Sequence, residues 1–184
     1  MIIPREHSII ISPFDDRDAP YLKQVRREIS GIFTFRTEIM PILQDVGFAR
    51  DPGRNQYNST LILDKLAELA PHHSIKVLAI ISVDLFIPIL THVYGEAQLG
   101  GKACIVSTHR LMEGLSPMTI PETYDQRIIK EAVHELGHTF GLRHCTDHTC
   151  IMHYCRTVKD VDRKSDQLCR YCKILLEDEI KKMS

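Results

Sequence analysis

The sequence predicts an α/β domain with helices layered on a mixed, twisted sheet and an antiparallel strand at the sheet edge. Three observations point there. Short β-branched runs at His7–Phe14 and Ser74–Val83 alternate with segments of helical periodicity. Two further extended pieces, His92–Leu99 and Ala103–Thr108, are joined by Gly100-Gly101, a hairpin signal that adds an antiparallel edge. A last long helix, near Glu122–Phe140, then leads into a cysteine-rich C-terminal part.

Taken in order, His7–Phe14 is an apolar run ended by Pro13 and acidic residues, which reads as a buried strand. Asp18 is placed to cap a helix with Pro20 in its first turn, and Leu22, Val25, Ile29 and Ile32 fall at helical spacing. Phe33–Leu43 reads as a second strand with Pro41 near its end, followed by a turn-rich loop through Asp51-Pro52-Gly53. Tyr57–Leu69 reads as a helix with Ile62, Leu66 and Leu69 on its apolar face and Leu63 beside them. Ser74–Val83 is apolar enough to be a central strand. After a loop with Gly114, Pro117 and Pro121 comes the long helix, whose inner stripe is Ile128, Ala132, Leu136 and Phe140. The tail ends in a helix over Tyr171–Lys182.

The 184 residues suffice for one domain, 1–184, with an α/β part over 1–141 and a smaller C-terminal part over 142–184. A formal net charge of -1 argues against a protein built to hold nucleic acid. No stretch approaches the roughly 20 apolar residues of a membrane span. The start, MIIPREHSII, lacks the basic-then-apolar pattern of a secretory leader, so a cytoplasmic location is expected.

Four of the ten histidines lie within His134–His148. His134, Glu135 and His138 form His-Glu-x-x-His, extended through Gly141 to His144. Residues four apart on a helix lie about 40° apart around the axis, so His134 and His138 can present two imidazoles to one metal ion. His144 would lie about 120° off on an unbroken helix, so the helix must end first. Gly141 suits that end, because glycine tolerates the left-handed conformation that turns the chain. A three-histidine site leaves zinc an open position, where bound water becomes acidic and a neighbouring carboxylate, Glu135, can serve as general base.

Cys145, Cys150, Cys169 and Cys172 make two closely spaced pairs, the pattern of a tetrahedral, all-thiolate zinc site. Such a site has no open position and holds structure. Two disulfides are the alternative, favoured only in an oxidising compartment. Two zinc ions per chain are therefore expected, one catalytic and one structural.

The set His134, Glu135, His138, Gly141, His144, Cys145, Cys150, Met152, Cys169 and Cys172 resembles the archaemetzincins, a family of the metzincin clan of zinc peptidases, with no position missing. Similarity extends back through VDLFIP (83–88), VYGEA (93–97), STHRL (107–111) and RNQY (54–57), and the short length resembles the archaeal form. The resemblance implies a metzincin-like layered domain, an active-site helix, a Met-turn at Met152, and hydrolysis of peptides or proteins. Vertebrate relatives are described as aminopeptidase-like. Met152-His153-Tyr154 is similar to the Met-x-Tyr of metzincins whose tyrosine stabilises the reaction intermediate; a partly exposed tyrosine is the plainer reading of Tyr154.

Two other functions fit parts of the pattern. Zinc-dependent ribonucleases share the three-histidine spacing but lack the glutamate after the first histidine, and a non-catalytic zinc-stabilised binding protein could retain the ligands. Glu96, on the candidate substrate-binding edge Val93–Leu99, could meet a substrate amine or be a solvated or structural carboxylate. Cys155 and Cys104 fall outside the ligand pattern, His148 and His153 read as flanking or surface groups, and Lys159, Arg163, Lys164, Arg170 and Lys173 read as a solvated basic face.

Overall fold

The computed structural model describes residues 7–116 and 120–183; the leader reading of residues 1–6 and the loop proline Pro117 fall outside them. Strand β1 (Ser8–Pro13) is followed by helix α1 (Tyr21–Phe33) and strand β2 (Arg36–Ile39), which pairs parallel to β1. Two short strands, β3 (Arg50–Asp51) and β4 (Gln56–Asn58), precede α2 (Ser59–Leu69) and the central strand β5 (Ser74–Ile81). β6 (Leu85–Phe86) pairs with β4, and β7 (Gly95–Ala97) and β8 (Ala103–Ser107) form the hairpin. Helices α3 (Ile120–Thr139), α4 (Val158–Arg163) and α5 (Arg170–Lys182) complete the chain.

The main sheet has the order β2-β1-β5-β8-β7, parallel except for β7 at the edge. Alternation along the strands separates two apolar clusters. Ile9, Ile11, Leu78, Ile80, Cys104 and Val106 meet α1 and α3 on one face. Ile10, Val77, Ala79, Ile81 and Ile105 meet α2 on the other. Both faces are covered, which is why β1 and β5 read as largely apolar runs, with Lys76 the charged exception in β5.

Several expectations are corrected in detail. Asp18 does not cap α1: its backbone N–H donates to Asp16 Oδ1, and the N-cap is Pro20. Phe33 belongs to α1, four residues past Ile29 on its buried face, and Thr34 at φ +61° ends the helix. The second strand therefore starts only at Arg36. Tyr57 pairs with Leu85 in a strand, and Asn58 caps α2 by accepting the Thr60 N–H. Leu69 is exposed, and Ile62, Leu63 and Leu66 form the buried face of that helix. Helix α4 has a capping box, Thr157 with Asp160, too short to show periodicity.

The small sheet supports one wall of the cleft. Gln56 donates to Asp84 and to the Thr91 carbonyl, and Arg54 donates to the Leu90 carbonyl while its guanidinium lies 4.2 Å from the Phe86 ring centre. Arg110 grips both oxygens of Asp84 at 2.7 Å.

Candidate active site and metal-binding clusters

Helix α3 ends in a turn with two backbone bonds. The Gly141 N–H donates to the His138 carbonyl at 2.9 Å and the Leu142 N–H to the Gly137 carbonyl at 3.1 Å. This is the paired-bond helix stop that places a left-handed residue just past the end, and Gly141 has φ +85°. Lys76, buried in central strand β5, donates to the Thr139 carbonyl at 2.6 Å and lies over Phe140, fixing the helix end from the sheet side. The Gly100 N–H of the hairpin also reaches the His138 carbonyl at 2.9 Å.

The turn brings His144 back to His134 and His138. The candidate ligand atoms of the three rings all lie within 4.8 Å of one another. His134 Nδ1 lies 2.8 Å from the Ile151 carbonyl, and His138 Nδ1 lies 2.6 Å from the Leu142 carbonyl. A carbonyl only accepts, so each Nδ1 carries the proton and each neutral ring leaves a lone pair on Nε2. Those two Nε2 atoms face each other at 3.1 Å. Lone pairs directed at each other call for a cation between them, so the donor set fits zinc. Burial also lowers the basicity of all three histidines, most strongly at His134, where the Lys164 ammonium adds to the effect.

Met152 is fully buried beneath the helix, and a Cβ on Gly137 would meet its Sδ at 2.6 Å. The absent side chain at Gly137 therefore lets the methionine floor approach between the two helical histidines. Glu135 is buried beside them at the cleft wall. Burial, reinforced by the Glu131 carboxylate, raises its pKa well above the usual carboxylate range, and Lys164 opposes that rise. Across the cleft a Cβ on Gly95 would lie 2.6 Å from Glu135 Cγ, so edge strand and general-base candidate are in close contact. The cleft holds about 360 Å³ and runs between β7 and the segment Tyr154–Arg156. Tyr154 leans on the His144 ring with centroids 5.0 Å apart.

Glu96 points the other way. It accepts from Ser59 Oγ at 2.5 Å and Thr60 Oγ1 at 2.9 Å at the start of α2, while Gly95 and Ala97 face the cleft. The structural reading of Glu96 therefore holds, and the amine-binding reading does not.

The four cysteines also converge, with all Sγ atoms within 4.8 Å. Cys169 caps α5, accepting the Cys172 N–H on its sulfur, while its own N–H reaches the Cys150 sulfur at 3.3 Å. Such N–H donors stabilise thiolates: burial pushes the Cys169 thiol up, but the Cys172 N–H and neighbouring thiols bring it down overall. Adjacent to His144, Cys145 donates its N–H to the Met152 carbonyl at 2.9 Å, linking both clusters through one backbone turn. Cys155 stands apart, lining the cleft with its thiol pushed up to about 11 by burial, and Cys104 is buried in β8. His153 Nδ1 lies 2.9 Å from the Cys145 carbonyl, with His148 against its other nitrogen.

The basic-face reading fails at Lys164, whose side chain is 0% exposed. Its ammonium lies 2.8 Å from Glu131 Oε1 in an ion pair, off the angle of a hydrogen bond, and 3.5 Å from His134 Nδ1. Glu131 sits one turn before His134 and also lines the cleft. Arg127 completes the tie of α4 to α3, gripping Asp162 at 2.7 and 2.8 Å. Charged residues at 127 and 131, one turn apart and in line with His134, are the available signal; Lys164 offers none.

Residues 3–178 match the model of peptidase family M54. The chain belongs to peptidase family M54. It is 40% identical over 129 residues to the archaemetzincin of Methanopyrus kandleri, covering 70% of each sequence, and 35% identical over 173 residues to that of Methanocaldococcus jannaschii, covering 92% and 93%. The crystal structure of the Methanopyrus kandleri archaemetzincin superposes with a TM-score of 0.83 at 32% identity, covering 98% of this chain and 99% of that one. The Archaeoglobus fulgidus archaemetzincin, solved with malonate, gives 0.76 at 34% identity, covering 91% and 99%. This M54 chain is thus a zinc metallopeptidase of archaemetzincin type with a peptide or protein substrate, and the ribonuclease reading is not favoured.

Proposed function

We propose that His134, His138 and His144 hold a catalytic zinc, that Glu135 is the general base, and that Cys145, Cys150, Cys169 and Cys172 hold a second, structural zinc. The observation that carries this reading is the pair of Nε2 atoms 3.1 Å apart, each on a ring whose Nδ1 proton is committed to a carbonyl. Zinc bound there would supply Lewis acidity, making water acidic and polarising the scissile carbonyl. Glu135 takes a proton from the attacking water and returns it to the leaving amine; its buried carboxylate is the stronger base for being poorly solvated.

β7 pairs with β8 along one edge, and an extended substrate adds to the other, over Gly95 and Ala97. Tyr154, against His144, is placed to donate to an oxygen of the reacting carbonyl. The protein works in the cytoplasm, where thiolates stay reduced on metal. Zinc per chain, with cleavage of a peptide library and an RNA pool by wild type and Glu135→Ala, tests the assignment. Two zincs in both proteins and a loss of peptide cleavage by at least about 10³-fold in the variant are expected. Full activity without Glu135, or cleavage of RNA alone, would overturn it.

A further inference from the structure

We propose that Lys164 is a positioning residue that keeps a competing carboxylate, Glu131, off the catalytic metal. This rests on the reading of the histidine cluster as the catalytic zinc site. Glu131 and His134 stand three apart on α3, and Glu-x-x-His is a spacing at which both side chains can ligate one metal. Glu131 is 4% exposed and lines the same cleft as the three histidines. It is thus an available fourth protein ligand, and a site closed by it would hold zinc firmly and exclude water.

Lys164 is placed to prevent this. Its buried ammonium contacts Glu131 Oε1 at 2.8 Å and lies 3.5 Å from the far side of the His134 ring, at Nδ1 rather than at the metal-facing Nε2. The carboxylate is therefore drawn behind the histidine. The lysine is itself held by backbone: its N–H donates to the Asp160 carbonyl at 3.2 Å, and the Arg127–Asp162 pair clamps α4 to α3. A buried cation that merely fastened α4 would duplicate that clamp. Removing one partner of a buried pair leaves the other charge seeking compensation, and a metal held by the histidines of the same cleft is a cation that can supply it.

The test uses protein with zinc left on the cysteines and cobalt exchanged into the histidine site. K164M should change the cobalt visible spectrum towards higher coordination and lower kcat at least about tenfold, with metal affinity undiminished. E131Q in the K164M background should restore the wild-type spectrum and bring kcat to within about threefold of wild type. K164R, which keeps the charge, should retain the wild-type spectrum. An unchanged spectrum in K164M, or activity lost equally in K164M and the double variant, would overturn the proposal and leave Lys164 as a strut. Should the neutral variants fail to fold, a zinc-loaded structure of the wild type decides: Glu131 on Lys164 supports the proposal, and Glu131 on the metal overturns it. Absence of any metal at the histidines of wild type would instead remove the functional reading on which it rests.

Discussion

Replacing Gly95 by alanine tests how tightly the edge strand and the general base are matched. The added Cβ would stand 2.6 Å from Glu135 Cγ, 2.8 Å from Glu135 Oε1 and 2.6 Å from the Ile105 carbonyl oxygen. Carbon contacts are comfortable at about 3.5–4.0 Å, so Glu135 or the strand must retreat by about 1 Å. The Ile105 oxygen belongs to β8, held between β5 and β7 with Ile105 opposite Glu96, and gives way less easily than a side chain. Overpacking of this kind costs about 1–3 kcal/mol, and for a chain of this size each kcal/mol lowers Tm by roughly 2–4 °C. Displacing a catalytic group by about 1 Å can cost about 10²-fold in rate. Gly95→Ala should therefore lose about 10²-fold in kcat, keep its zinc, and melt only modestly lower. Gly31→Ala is the control: nothing lies within 4 Å of its Cβ on the solvent side of α1, so it should stabilise by about 1 kcal/mol without altering kcat. Calorimetry, zinc analysis and hydrolysis of a quenched peptide read these quantities. Wild-type kcat in folded, zinc-loaded Gly95→Ala would refute the close contact between Gly95 and Glu135 as a catalytic constraint.

Cys169→Ser should weaken catalytic zinc as well as remove the structural ion, because Cys145 and Met152 share a backbone bond beside His144; zinc competition with a chelator checks this, and full affinity at the histidines would contradict it. Tyr154→Phe should lower kcat at least about tenfold with zinc content unchanged, and an unchanged kcat would remove the tyrosine from the chemistry. Glu96→Gln should leave preference for free N-termini unaltered while lowering Tm, since the carboxylate serves the start of α2. Acidification has a definite sign. Burial lowers the pKa of His134, His138 and His144 below 6.5, so their neutral, ligating form is fully present above 6.5 and is lost as pH falls through the depressed values. Zinc retention after dialysis should thus hold from pH 7.5 to about 6.5 and fall only below it; loss beginning above pH 7 would contradict the burial argument.

The parts of the site legible in the sequence were those whose chemistry depends on short spacing. His134 and His138 are one helical turn apart, Gly141 ends the helix, and paired cysteines suit a thiolate site; the structure brings each set together. The sheet was legible for a similar reason, since β1 and β5 are apolar on both faces and the Gly100-Gly101 hairpin marks the edge. What stayed hidden depends on residues far apart in the chain. Lys164 meets Glu131 and His134 only after the tail has folded back over α3, and its neighbours Arg163 and Lys159 are ordinary surface cations. Glu96 was ambiguous because period-2 alternation gives a strand residue a face only once the register is known, and pairing with Ile105 decides it. Phe33 is ambiguous in sequence because an aromatic residue at a helix end reads equally well as the start of a strand, and its place on the buried face of α1 decides it.

The most direct measurement of the central claim is zinc K-edge absorption on the freshly purified, folded protein. One site of three imidazoles plus an oxygen and one of four thiolates give a mean shell of about two sulfurs near 2.3 Å and about two nitrogen or oxygen atoms near 2.0–2.1 Å per zinc. That mixed shell, with two zincs per chain, is the expected result. An all-sulfur shell with one zinc per chain would contradict a catalytic metal on His134, His138 and His144.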